Sequence, residues 1–143
     1  MCESRGAGST RSATVVNAAA ERLPETTVTP RARVLVVEDS DDQRELVRTY
    51  LERASCTVIA VQNAEDAIAA YLLQTPDLAI IDLLLPGMNG WELVRRLRAD
   101  RPECAIVVTS VLDRIDFPPA EAILPKPFTR AQILQVLEEC VPE

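Results

Sequence analysis

The sequence predicts an α/β fold: a five-stranded parallel sheet with helices on both faces. Three observations carry this expectation. Short apolar, β-branched runs recur five times between Arg33 and Phe128. Segments with apolar residues at helical spacing separate most of them. The runs are continuously apolar rather than alternating, as expected of strands buried on both faces.

The elements follow in order. "RVLVV" from Arg33 is the first strand. Leu46, Val47, Tyr50, Leu51 and Ala54 then mark the inner face of a helix, with Asp41 and Asp42 in its first turn, where acids favour the positive helix end. "CTVIAVQ" (Cys56–Gln62) is the second strand. Asn63 with Asp66 resembles a capping box, with Asp in place of Glu or Gln. The helix behind it should bury Ala64, Ala67, Ile68, Tyr71 and Leu72, and Thr75-Pro76 ends it. "DLAIIDLLLP" (Asp77–Pro86) holds the third strand and its exit. "GMNG" (Gly87–Gly90) turns into a helix with Leu93, Val94 and Leu97 inward; both glycines are read as backbone turn residues. Trp91 is expected to be partly buried at that helix start. Arg95, Arg96, Arg98 and Arg101 on the same helix are read as a solvated basic face. "CAIVVTS" (Cys104–Ser110) is the fourth strand and "AILPKPF" (Ala122–Phe128) holds a short fifth. Thr129 caps a last helix with Ile133, Leu134, Leu137 and Cys140 on one face.

Composition narrows the function classes. The chain has 143 residues, 48% of them apolar, enough for one domain with a real core. Residues 1–33 carry five Arg and three Glu, and the remainder carries ten basic and nineteen acidic groups. A domain of net −9 is a poor candidate for non-specific nucleic-acid binding. Cys2, Cys56, Cys104 and Cys140 form no C-x-x-C and there is no histidine, so zinc and dithiol chemistry are not expected. Isolated cysteines, no membrane-length apolar run and no secretory leader together suggest a soluble cytoplasmic protein. Residues 1–32 are expected to be a disordered extension, with 33–143 the folded domain. An alternative for Ser12–Leu23 is a weak helix on a partner.

Parallel sheets of this kind form sites beyond the carboxyl ends of their strands. Strand one ends at Glu38-Asp39, strand three at Asp82, strand four at Thr109-Ser110 and strand five at Lys126. Like charges ~4 Å apart repel by about 4 kcal/mol at an effective dielectric of 20. A divalent cation removes that conflict, and Mg²⁺ favours one or two carboxylates, retained waters and phosphate. Asp39, Asp82 and Glu38 therefore suggest a Mg²⁺ site that accepts a phosphate. Lys126 is the only lysine beside fourteen arginines. Its compact ammonium suits a single phosphate oxygen, and the Thr109 hydroxyl offers a second donor. A phosphate-cradling Gly-rich loop is absent.

"VLVVEDSDDQRE", "IIDLLLPGMNGWEL", "IVVTS" and "LPKPF", in this order, resemble the receiver domain of two-component response regulators. The resemblance covers residues 33–141. It implies a flavodoxin-like fold with strand order 2-1-3-4-5, an order taken from the family and not from the residues. It implies that Asp82 accepts a phosphoryl group from a histidine kinase's phosphohistidine, and that Glu38 and Asp39 hold Mg²⁺. It further implies that the Leu84 carbonyl reaches the metal and that Thr109 and Lys126 bind phosphoryl oxygens. Lys126-Pro127 would be the family's cis bond. The implied partners are a histidine kinase or phosphotransfer protein and an unknown downstream protein, with no direct nucleic-acid or membrane contact.

Three departures bear on output. Ile123 stands where the family often has an aromatic residue, three before the lysine. "VLDRIDFPPAE" (Val111–Glu121) is short for a crossover and carries Pro118-Pro119, so the helix between strands four and five is expected to be shortened or irregular. Leu84 and Val111 give an attacking water no hydrogen-bonding partner, so slow hydrolysis of an aspartyl phosphate is expected. Without room for another domain after Glu143, a stand-alone switch is the expected function. The alternative is a degenerate receiver that binds partners regardless of phosphorylation. A Mg²⁺-dependent hydrolase is not expected, because Leu84 occupies the place of its usual general acid.

Overall fold

The computed structural model describes residues 30–110 and 119–141. Five strands form one sheet: β1 (Arg33–Val37), β2 (Thr57–Val61), β3 (Leu78–Asp82), β4 (Ala105–Ser110) and β5 (Ala122–Pro125). The helices among the described residues are α1 (Asp41–Arg53), α2 (Ala64–Leu73), α3 (Gly90–Asp100) and α4 (Arg130–Cys140). All pairings are parallel, in the order β2-β1-β3-β4-β5. The expected shortened helix between β4 and β5 falls largely on residues 111–118, outside the described residues, as does most of the N-terminal extension.

Strand periodicity divides the core in two. Leu35, Val37, Ala79, Ile81, Ile106 and Val108 point to one face, packed beneath α2 and α3. Val34, Val36, Leu78, Ile80, Val107 and Leu124 point to the other, beneath α1 and α4. β3 is buried at all five positions because it lies at the centre of the sheet.

The helix faces largely follow the expected pattern, with two corrections. Leu46 and Leu72 are exposed, at 38% and 53%. At 100° per residue each sits roughly 105–120° from the centre of its helix's buried positions, outside the arc that meets the sheet. Val136, buried beside Ile133 and Leu137, joins the α4 face. Thr129 forms a full capping box with Gln132. Asn63 caps α2 through Asp66 N–H (2.7 Å), but the Asp66 carboxylate meets the Asn63 side-chain amide (3.4 Å). Aspartate is one methylene shorter than the Glu of a capping box, which limits its reach back to the backbone.

At the amino end of the sheet, Arg31 N–H bonds the Ser55 carbonyl (2.8 Å). Its guanidinium reaches Glu138 on α4 (3.0 Å) and the Val141 carbonyl (3.4 Å). Ala32 is buried at 3% exposure, so the packed unit includes the residues just before β1. Among the described residues no helix is long and apolar enough to cross a membrane.

Candidate functional site

Parallel pairing delivers the ends of β1, β3, β4 and β5 to one edge. Asp82 is in register with Thr109 on the neighbouring strand, and both are buried. Glu38 follows β1 and is 5% exposed. Lys126 follows β5 and reaches inward. Its Nζ donates to Glu38 Oε1 at 2.7 Å and to Asp82 Oδ2 at 3.0 Å. The Lys126-Pro127 peptide is cis.

Glu38 is held from several sides. Its N–H bonds the Val61 carbonyl (3.0 Å), and its second carboxylate oxygen accepts Ser40 N–H (3.0 Å). Its carbonyl accepts Arg44 Nη1 (2.9 Å). Asp82 Oδ1 accepts Leu84 N–H (3.0 Å). Asp39 remains exposed, and one carboxylate oxygen each from Glu38, Asp39 and Asp82 lies within 4.8 Å of the others.

The electrostatics follow from two buried carboxylates sharing one ammonium. Burial pushes the Glu38 carboxyl up; bonds from Lys126 and Ser40 oppose this, and the Asp82 charge adds to it. Burial works against the Lys126 ammonium, but its bonds to Glu38 and Asp82 outweigh that and hold its pKa above the ordinary value. Three carboxylates and one ammonium leave a formal charge of −2. Hard oxygen donors of that net charge fit a hydrated divalent cation such as Mg²⁺.

The loop after Asp82 is shaped by α3. Gly90 N–H bonds the Leu83 carbonyl (3.0 Å). A methyl group on Gly90 would lie 2.5 Å from Leu83 Cα and 2.7 Å from the Asp82 carbonyl oxygen. Gly90 is thus required by close approach to the backbone that follows Asp82, while Gly87, at φ +70°, serves the turn. Leu84 presents a half-exposed side chain beside this loop. Val111 lies outside the described residues.

The structure therefore brings together Glu38, Asp39, Asp82 and Lys126, with Thr109 beside Asp82 and Leu84 bonded to Asp82 through its N–H. Sequence reasoning overlooked Ser40 and Arg44. Ser40 is the N-cap of α1 (its side chain accepts Gln43 N–H), and a Ser directly before two acids was a readable cap signal. For Arg44 the i,i+3 pairing with Asp41 was readable, but its bond to the Glu38 carbonyl left no sequence signal.

A buried acidic pair, an exposed third carboxylate and a bridging lysine thus gather at the carboxyl edge of a 2-1-3-4-5 sheet. The family model for the response regulator receiver domain matches residues 34–138, and the chain belongs to that family. A cyclic di-GMP phosphodiesterase of Thermotoga maritima is 39% identical over 80 residues, covering 56% of this chain and 21% of that protein. The regulatory protein VanRB of Enterococcus faecalis is 33% identical over 111 residues, covering 74% and 50%. The chain thus spans half or less of the length of these curated relatives. Among solved structures, NtrX from Brucella abortus superposes with a TM-score of 0.73 at 27% identity, over 77% of this chain and 27% of that one. The chemotaxis response regulator CheY4 of Vibrio cholerae does so with 0.68 at 26%, over 76% and 98%.

Proposed function

We propose that this receiver is a phosphorylation switch in which Asp82 is the acceptor. The observation that carries the reading is the Lys126 ammonium bound at once to Glu38 and Asp82. An Asp82 oxygen attacks phosphorus of a phosphohistidine on a kinase or phosphotransfer protein. The O–P bond forms as the P–N bond breaks, and the leaving imidazole takes up a proton. Lys126 meets the negative oxygens of the transferred group, and the Thr109 hydroxyl donates to one of them.

Bound Mg²⁺ would neutralise charge on the phosphoryl oxygens. Asp39, Asp82 and Glu38 would hold it, together with the Leu84 carbonyl. Glu38, whose oxygens accept Ser40 N–H and Lys126 Nζ, would add its negative charge to the same site. The phosphorylated residue carries more negative charge than the carboxylate it replaces, and redistribution of Lys126 and Thr109 toward it is the switching event. Output is through phosphorylation-dependent binding of another protein, in the cytoplasm. The domain-level role is that of a switch, and the phosphodiesterase activity in the name of the Thermotoga relative belongs to that longer protein.

Acetyl phosphate with Mg²⁺ should add the mass of one phosphoryl group to the wild-type chain and none to Asp82→Asn. An unmodified wild type would sink this reading and leave a phosphorylation-independent interaction module, the reading that Ile123 in place of an aromatic residue favours.

A further inference from the structure

We infer that Arg44 is a positioning residue for the cation site: it fixes the peptide from which Asp39 projects. The inference rests on the functional reading above and deepens it. Arg44 stands on the second turn of α1 and turns back toward β1. Nη1 donates to the Glu38 carbonyl at 2.9 Å, and Nη2 pairs with the Asp41 carboxylate. The Glu38 carbonyl belongs to the Glu38–Asp39 peptide, so this bond sets the plane that aims Asp39. The rest of Glu38 is fixed by Val61, Ser40 and Lys126. Arg44 restrains the carbonyl of that peptide.

The fork of the guanidinium matters here. It spans a backbone carbonyl just past β1 and a carboxylate in the first turn of α1, and so joins the end of β1 to the start of α1. The Arg44 side chain is 21% exposed, so the fork is partly shielded from water. Asp41 is 83% exposed and offsets the guanidinium charge that would otherwise repel a cation. Arg44 thereby holds an acidic loop in shape without adding a net positive charge to it.

This role has a sign opposite to that of simple electrostatics. Removing a positive charge near a cation site should tighten cation binding. Removing a group that aims a ligand should weaken it, by ~10–100-fold for groups directly behind metal ligands. The test is Mg²⁺ titration of the full chain followed by amide NMR shifts, with NaCl at matched ionic strength. Arg44→Met should bind Mg²⁺ about tenfold more weakly than wild type. Arg44→Lys keeps the charge but loses the planar fork, and it should also bind more weakly. With acetyl phosphate, the Mg²⁺ concentration for half-maximal phosphorylation should rise while the plateau rate is retained. A purely stabilising role would instead reduce the folded fraction and leave the dissociation constant unchanged. Equal or tighter Mg²⁺ binding by Arg44→Met overturns the inference; if that variant does not fold, equal binding by Arg44→Lys does so. Failure of the wild type to bind Mg²⁺ would instead refute the functional reading itself.

Discussion

Tyr71 carries a buried ring and a useful hydroxyl. It is 1% exposed, and its OH donates to Asp100 Oδ2 at 2.7 Å, joining α2 to the end of α3. Burial, then the bond to Asp100 and its charge, push the phenol up to about 12. An unfolded chain would titrate it near ~10. The folded state therefore favours the protonated phenol: the contribution is complete below about pH 10 and is lost as pH rises toward 12. Its ceiling is on the order of 2–3 kcal/mol. Tyr71→Phe should cost about 1 kcal/mol at neutral pH and flatten the alkaline loss of stability. Urea unfolding at pH 7, 10 and 11 would test this; an unchanged alkaline slope in the variant would count against it. Leu84 and Lys126 show what single residues made legible. Lys126 could be read because a lone lysine stood at a strand end. Leu84 is half-exposed in the loop that follows Asp82.

At the scale of elements, helix ends were the least legible. α1 closes through Cys56 N–H to the Leu51 carbonyl and Ser55 N–H to the Glu52 carbonyl, both 3.0 Å. That is a Schellman motif, and Ser55 sits at its left-handed position with φ 71°. Glycine is the usual residue there, so "ERASCT" concealed the stop. The left-handed conformation costs an L-residue roughly 1–2 kcal/mol, partly offset by the greater freedom of glycine in the unfolded chain. Ser55→Gly should therefore raise stability by about 0.5–1 kcal/mol, read as a higher urea midpoint at constant slope; a lower midpoint would contradict this. The entry to β5 was also hidden. Glu121 Oε1 accepts Ile106 N–H (2.6 Å), and its carboxylate meets Arg98 (3.3 Å). The bond from Ile106, with the help of Arg98, holds the Glu121 carboxyl below its ordinary pKa despite burial. A side chain standing in for a strand partner leaves no periodic trace. Part of the basic run on α3 is thus occupied in fastening the edge strand.

For the whole molecule, sheet topology made the site readable. Residues separated by 44 positions, such as Asp82 and Lys126, meet because every strand runs in the same direction. Strand ends can be found from apolar runs, and a parallel sheet converts them into neighbours. Loop bonds such as those of Glu38 and Arg44 have no such rule. The resulting pocket keeps two buried acids beside an exposed third, a repulsion that cation binding should relieve. Mg²⁺ at ten times its dissociation constant should stabilise the fold by about 1.4 kcal/mol, a rise of several degrees in Tm. EDTA should reverse the rise, and Asp82→Asn should diminish it. Equal shifts with NaCl at matched ionic strength would show that no specific site is involved.

The clasp of Arg31 on Glu138 and the Val141 carbonyl has a practical meaning. It gathers residues near the two limits of the described structure at the pole of the sheet remote from Asp82. Fluorophores or tethers attached at Arg31 and Val141 would sit at the opposite end of the sheet from Asp82, close enough to report on one another.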